Sequence, residues 1–164
     1  MFKYCLITFL FSMIPIFELR GAIPYAVMFH DIHPALAYLI AVIGNMLPVP
    51  FIYLFARKVL LWGKDKKFIG RFFTFCLNKG EKGGQKLQKK GGRGLFVALM
   101  LFVGIPLPVT GAWTGTLAAS ILDMDFKKCM LAVFCGVLIA GVIVLLVVLG
   151  PLSFLQSIFI KEIA

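Results

Sequence analysis

Acidic side chains are scarce in this chain. Seven Asp and Glu face seventeen Lys and Arg over 164 residues, for a net charge of +10. Charge of either sign is thin, at 15% of the residues. Histidine occurs twice, and the four cysteines (Cys5, Cys76, Cys129, Cys135) form no CxxC pair. That leaves no disulfide framework and no Cys/His metal site, which need several ligands at short, fixed spacings. The thiols lie in or beside apolar runs, where they behave as small hydrophobes. No nucleophile and base pair, metal-ligand spacing or phosphate-cradling glycine loop points to an enzyme, and no cofactor or metal is implied. The basic excess comes without a nucleic-acid-binding motif and clusters beside apolar segments. The positive-inside rule of membrane proteins accounts for it better than a nucleic acid partner does.

What is abundant is apolar surface, with 61% hydrophobic residues and 17 Phe. No ordinary soluble domain carries so much. The chain reads as an all-α, multi-pass integral membrane protein of the plasma membrane. Its organising stretch is Pro15 to Pro24, PIFELRGAIP, where Glu18 and Arg20 lie between two prolines inside a long apolar segment. A lone charge near the bilayer centre costs about 2.5–3.5 kcal/mol on insertion scales, so both need a partner, water or a task. On a helix, residues i and i+2 point apart. Pro15 blocks helix continuation, Pro24 biases Ile23 toward extended backbone and Gly21 permits almost any angle, so the stretch is expected to be non-helical, with a new helix starting at Pro24. Non-helical backbone at membrane depth survives only inside protein or beside a wet cavity, which makes this a candidate site.

Four regions follow along the chain. Residues 1–62 form a first membrane unit: an arm of about 13 residues before Pro15, too short to cross, a second short arm to His30, a polar turn at Asp31 to Pro34, then Ala35 to Trp62, long enough to span. His30 and His33 read as interfacial turn residues, with a ligand or proton-relay role as the alternative. The long segment is interrupted at GNMLPVP, where Pro48 and Pro50 imply a kink, and Asn45 is either an interhelical hydrogen-bond donor or a ligand. Residues 63–94 carry ten Lys or Arg against Asp65 and Glu81, and read as a cytoplasmic loop with an interfacial amphipathic helix around Phe68 to Cys76. A specific anionic-lipid site in that loop is the alternative to a plain topology anchor. Residues 95–150 form a second membrane unit: Leu95 to Leu122, broken at GIPLPVTGAWTG with Thr110 placed to cap a helix near Ala112, then the uninterrupted run Cys129 to Gly150, in which Gly136 and Gly141 allow close packing. Residues 151–164 read as an interfacial tail.

The halves echo each other. Ile14, Pro15, Gly21 and Ala22 correspond to Ile105, Pro106, Gly111 and Ala112, and a spanning helix follows each block, carrying Gly44 in one half and Gly136 in the other. Paired Pro/Gly-broken apolar segments at corresponding positions point to a transporter built from repeats. The expected fold is two inverted repeats, each a Pro/Gly-broken re-entrant hairpin followed by a transmembrane helix. Lys127 and Lys128 then share the cytoplasmic side with the central loop, whereas a four-crossing bundle puts them outside.

FELRGAIP followed by a GN-containing helix, and later PLPVTGAWTG, resembles the family of small multidrug export proteins over most of the chain except the basic loop and tail. More distantly, the layout resembles the DedA membrane protein family. That resemblance implies re-entrant hairpins and movement of polyprenyl phosphate carrier lipids, with Glu18 in the place of that family's acidic residue. The DedA pattern has an arginine in its second broken segment, where this chain has Thr110 and Thr114, and the arginine here is Arg20.

The candidate substrate-binding set is Glu18, Arg20, Gly21, Pro24, Asn45, Pro106, Pro108, Thr110, Gly111 and Thr114. Helix N-termini near Pro24 and Ala112, with Arg20, favour an anionic group such as phosphate or carboxylate. Glu18 either holds Arg20 structurally or takes up a coupling proton or cation; burial and a neighbouring cation pull its titration in opposite directions. The expected function is transport or flipping of an amphipathic anion such as a lipid phosphate, coupled to protons or cations, by a homo-oligomer, with a dimer as the expected form. The alternatives are a proton-coupled small multidrug exporter of lipophilic cations, which Arg20 opposes, and a non-transporting membrane scaffold.

Overall fold

The computed structural model describes residues 2–30, 32–64, 93–107 and 110–150. Asp31, Pro108, most of the central basic loop with its expected amphipathic helix, and the tail lie outside the described residues. Among those described there are seven helices and no strand: α1 Phe2–Met13, α2 Glu18–His30, α3 Pro34–Met46, α4 Val49–Lys64, α5 Arg93–Gly104, α6 Ala112–Ile121 and α7 Phe126–Val148.

Prolines and caps set most boundaries. α1 stops two residues short of Pro15, and the turn over residues 14–17 is closed by Glu18 N–H donating to the Ile14 carbonyl at 2.8 Å. α3 begins at Pro34, with His33 as its N-cap: the His33 imidazole Nδ1 accepts from Ala35 N at 3.3 Å. α7 begins three residues earlier than the apolar run implies, because the Asp125 carboxylate accepts from Lys128 N at 3.1 Å and caps it. Its far end turns at Gly150, whose φ of +98° a residue with a side chain adopts only under strain. Between α3 and α4 the chain kinks without unwinding, since Leu47 keeps helical angles and Ile52 N–H reaches the Pro48 carbonyl at 2.9 Å.

The start of α2 differs most from expectation. Pro15 to Pro24 is broken only at residues 14–17, and α2 starts at Glu18 with Pro24 in its interior, six residues beyond the start. The reason is burial. Leu19, Ala22, Ile23 and Ala26 are almost wholly covered, because α2 packs against α1, α3 and α7. A backbone without access to water gains by forming every helical bond the chain permits, and neighbouring helices let it tolerate the one that Pro24 cannot make. Glu18 opens the helix at φ +47°, in the left-handed region that non-glycine residues seldom occupy. The second interruption is likewise narrower than expected: α5 ends at Gly104, α6 starts at Ala112, and Gly115 lies inside α6.

The surface is strongly apolar, and a few polar side chains are buried within the apolar core. On α1 the buried residues are Thr8 and Ser12, while Phe2, Leu6 and Leu10 face outward. Glu18, Asn45, Thr116 and Ser120 are buried, yet Phe29, Phe51 and Phe55 are about 70% exposed. An aqueous solvent would drive the reverse arrangement, whereas lipid makes apolar exposure neutral and small or polar contacts between helices favourable. Two 23-residue helical stretches, Pro34–Ala56 and Phe126–Val148, are long and apolar enough to cross a membrane; α1 and α5, of twelve residues each, reach only about 18 Å.

The core forms around α7, which packs against α5, α2 and α3. Glycines let these helices approach. A Cβ on Gly44 of α3 would sit 2.7 Å from the Phe9 carbonyl of α1, and one on Gly136 of α7 would sit 2.7 Å from the Met100 carbonyl of α5. Gly141 makes room for the Tyr38 ring, whose hydroxyl donates to the Leu138 carbonyl at 3.1 Å. The two units also interlock: α2 packs on α7, and α6 packs on α4.

Candidate functional site

The turn at residues 14–17 and the break at Ile105–Gly111 come together, and the two charges of the first half are what join them. Glu18 and Arg20 fall in the opening turn of α2, two positions apart, so their side chains diverge as helix geometry requires. Each reaches across to backbone of the second half. The Glu18 carboxylate, 6% exposed, lies over the first residues of α6. It accepts a hydrogen bond from Trp113 N at 3.2 Å, and the Ala112 N–H is directed at the same group. The Arg20 guanidinium goes the other way, donating to the carbonyls of Leu107 and Thr110 and to Thr110 Oγ1 at 3.1 Å.

Anion and cation are therefore matched to backbone polarity. The first N–H groups of a helix have no intrahelical partner and carry partial positive charge, so a carboxylate satisfies both needs at once. The carbonyls of the irregular break have no ladder to join, and the planar fork of arginine can span two of them. Hydrogen bonds with one charged partner contribute about 1.5–3 kcal/mol each, so this clasp is a principal tie between the halves.

Gly111 is what permits the close approach of Glu18. It is the N-cap of α6, with extended backbone and no side chain, and a Cβ there would lie 2.6 Å from Glu18 Oε1. The expected cap, Thr110, does something else. Its hydroxyl stays within the break, bonding the Ile105 carbonyl at 2.9 Å and the Leu107 carbonyl at 2.8 Å, and it is the remote Glu18 that caps α6. The reason is geometric: with Gly111 at the N-cap position, Thr110 is one residue too early to reach the N–H groups of the first turn.

The other candidate residues divide. Pro106 lies in the second break and Thr114 in the first turn of α6, its hydroxyl 3.4 Å from the Gly111 carbonyl. Gly21 and Pro24 are buried inside α2 rather than at a helix start, so of the two helix N-termini expected at the site, near Pro24 and Ala112, only that of α6 stands where it was expected. Pro108 lies outside the described residues. Asn45 is fully buried on α3, and neither its amide oxygen nor its nitrogen has a hydrogen-bond partner; the interhelical bond expected of it is not made. His33 serves as a helix cap, and His30 stacks on Tyr4 at 3.9 Å between ring centres and meets Tyr25 edge-on at 4.5 Å. Among the described residues no cluster of His, Cys, Asp and Glu could hold a metal ion.

Two participants were not singled out from sequence. Leu107 contributes only its backbone: its carbonyl accepts from Arg20 and its N–H donates to Thr110 Oγ1 at 3.2 Å. Trp113 contributes its backbone N–H to Glu18 and its indole N–H to the Met13 carbonyl at 3.2 Å, tying the end of α1 to the start of α6. The one available signal was its place in the GAWTG block, directly after the helix start.

The model of the family described as "Putative small multi-drug export protein" matches residues 18–143. The match begins at Glu18 and takes in both halves of the clasp. No curated protein and no solved structure matches the chain.

Proposed function

The chain belongs to the family of small multi-drug export proteins, and its two long apolar helices mark a membrane protein; on that premise we propose that it is a transporter that moves an amphipathic anion through the junction of its two breaks. The observation that carries the reading is the Glu18 carboxylate seated on the N-terminus of α6. A helix N-terminus with an arginine beside it is an anion site, and here the protein's own carboxylate fills it. When Glu18 takes up a proton it becomes neutral, holds the Ala112 and Trp113 N–H groups less well, and yields that position to the anionic group of a substrate, with Arg20 as the fixed counter-charge. Return of the carboxylate, with loss of its proton, expels the substrate. Asn45, buried without a hydrogen-bond partner, supplies a further polar contact for the cargo.

The same reading treats the halves as inverted repeats. α1–α2 and α5–α6 are then re-entrant hairpins, α3–α4 and α7 the spanning elements, and the crossed packing of α2 on α7 and α6 on α4 the surface on which one half rocks against the other. Carrier-lipid phosphates are one source of such an anion. Efflux of lipophilic cations is the rival reading, favoured by the rings of Phe11, Phe17 and Tyr25 that pack together beside the first break.

Reconstituted vesicles loaded with either a lipid phosphate or a lipophilic cation separate the two. On the anion reading, Glu18→Gln retains binding and flattens the pH dependence of flux, because the amide keeps the shape but does not titrate. Arg20→Ala loses anion binding, while Arg20→Lys retains part of it. Loss of cation binding in Glu18→Gln, with Arg20→Ala unimpaired, would sink the anion reading in favour of its rival.

A further inference from the structure

A groove of about 470 Å³ runs along the outside of α4 beside α6, lined by Phe51, Ile52, Leu54, Phe55, Lys58 and Trp113. The volume falls in the roughly 300–1,000 Å³ range of sites that hold small molecules. Phe51, Leu54, Phe55 and Lys58 recur at i, i+3, i+4 and i+7, so they form one stripe on α4. Phe51 and Phe55 are 68% and 69% exposed and Leu54 is 53% exposed, so this is outer surface, not core. Among the described residues its single charge is Lys58, and no acid lines it. Lys58 comes two residues after the apolar stretch Pro34–Ala56 ends. In a bilayer that stretch occupies the hydrocarbon, which puts Lys58 at headgroup depth and the phenylalanines below it. Phe51 lies seven residues, about 10 Å of helix, further in.

We propose that this groove is a binding site for an anionic phospholipid, its acyl chain along Phe51 and Phe55 toward Trp113 and its headgroup phosphate on Lys58. Charge complementarity selects the occupant, since an apolar trough with one cation at its headgroup end is the negative image of a lipid that carries net negative charge. A second groove, between α5 and α6, has no charged residue in its lining and gives no such preference. The groove meets the clasp at Trp113, but its charge is Lys58, so it requires neither Glu18 nor Arg20.

The chain has two tryptophans, so Trp62→Phe leaves Trp113, inside the groove, as the only indole reporter. The full-length variant is reconstituted in vesicles doped with phosphatidylglycerol or phosphatidylcholine carrying brominated acyl chains, which quench indole on contact. Phosphatidylglycerol should quench Trp113 with roughly fivefold higher apparent affinity than phosphatidylcholine, the factor expected for one lysine at an anionic surface. Lys58→Gln should abolish that preference, whereas Lys127→Gln, exposed at the start of α7, should leave it intact. Equal quenching by both lipids, or a preference that survives Lys58→Gln, overturns the proposal. Absence of quenching by either lipid also overturns it.

Discussion

Glu18 accumulates costs that a residue without a special position would not carry: burial of a carboxylate, a left-handed backbone angle, and a glycine held clear for it at 111. Strain and buried charge of this kind persist only where the surroundings over-determine them. Gly111→Ala tests how tightly. The new methyl would push into the carboxylate, so the variant should lose about 1–3 kcal/mol of stability, seen as a lower melting temperature in detergent. Combined with Glu18→Ala, which removes the obstructing carboxylate, Gly111→Ala should add less than its single cost, because the two positions share one contact. Full additivity would show that the clasp does not couple the halves as its geometry implies.

Among the helices, the two glycine contacts stand in corresponding places: Gly44 brings α3 against α1, and Gly136 brings α7 against α5. In lipid these contacts matter more than apolar burial does, because lipid tails solvate leucine as well as another helix can. Gly44→Ala and Gly136→Ala each drive a methyl toward a backbone carbonyl, which cannot swing aside as a side chain can, and each should cost about 1–3 kcal/mol. At Gly94 a Cβ would meet nothing within 4 Å, so Gly94→Ala should change stability by less than about 0.5 kcal/mol. Unfolding titrations of the three variants provide the comparison. A small effect at Gly44 or Gly136 would mean that the hairpin arm is held by other contacts.

For the whole molecule, the proposed inverted-repeat reading predicts an orientation from charge. With Pro34–Ala56 and Phe126–Val148 each crossing once, and with the short helices re-entrant, the central basic loop and Lys127 come out on one side and the start of α3 on the other. Single cysteines placed at Gly80, Lys127 and Ala35 on a Cys-free background should label accordingly, with the first two accessible from the cytoplasmic face and Ala35→Cys from the opposite face. Labelling of Lys127→Cys from outside only would convert the hairpins into full crossings and remove the basis for inverted repeats.

Local sequence suffices for whatever depends on composition and on neighbours along the chain. The membrane class follows from 61% hydrophobic residues, the ends of α1 and the kink after α3 follow from proline's missing donor, and the two breaks follow from Pro and Gly clustered inside apolar runs. The unusual status of Glu18 and Arg20 was equally legible, since buried charge in an apolar segment demands a partner. Which partner was not. Their hydrogen bonds run to backbone groups about ninety residues away, and a backbone N–H or carbonyl has no signature in a sequence of side chains. The early start of α2 was hidden for a related reason, because proline's local bias was outweighed by burial against three other helices. Asn45 shows the same division: its polarity at depth is written in the sequence, but its lack of a partner exists only once the surrounding helices have packed.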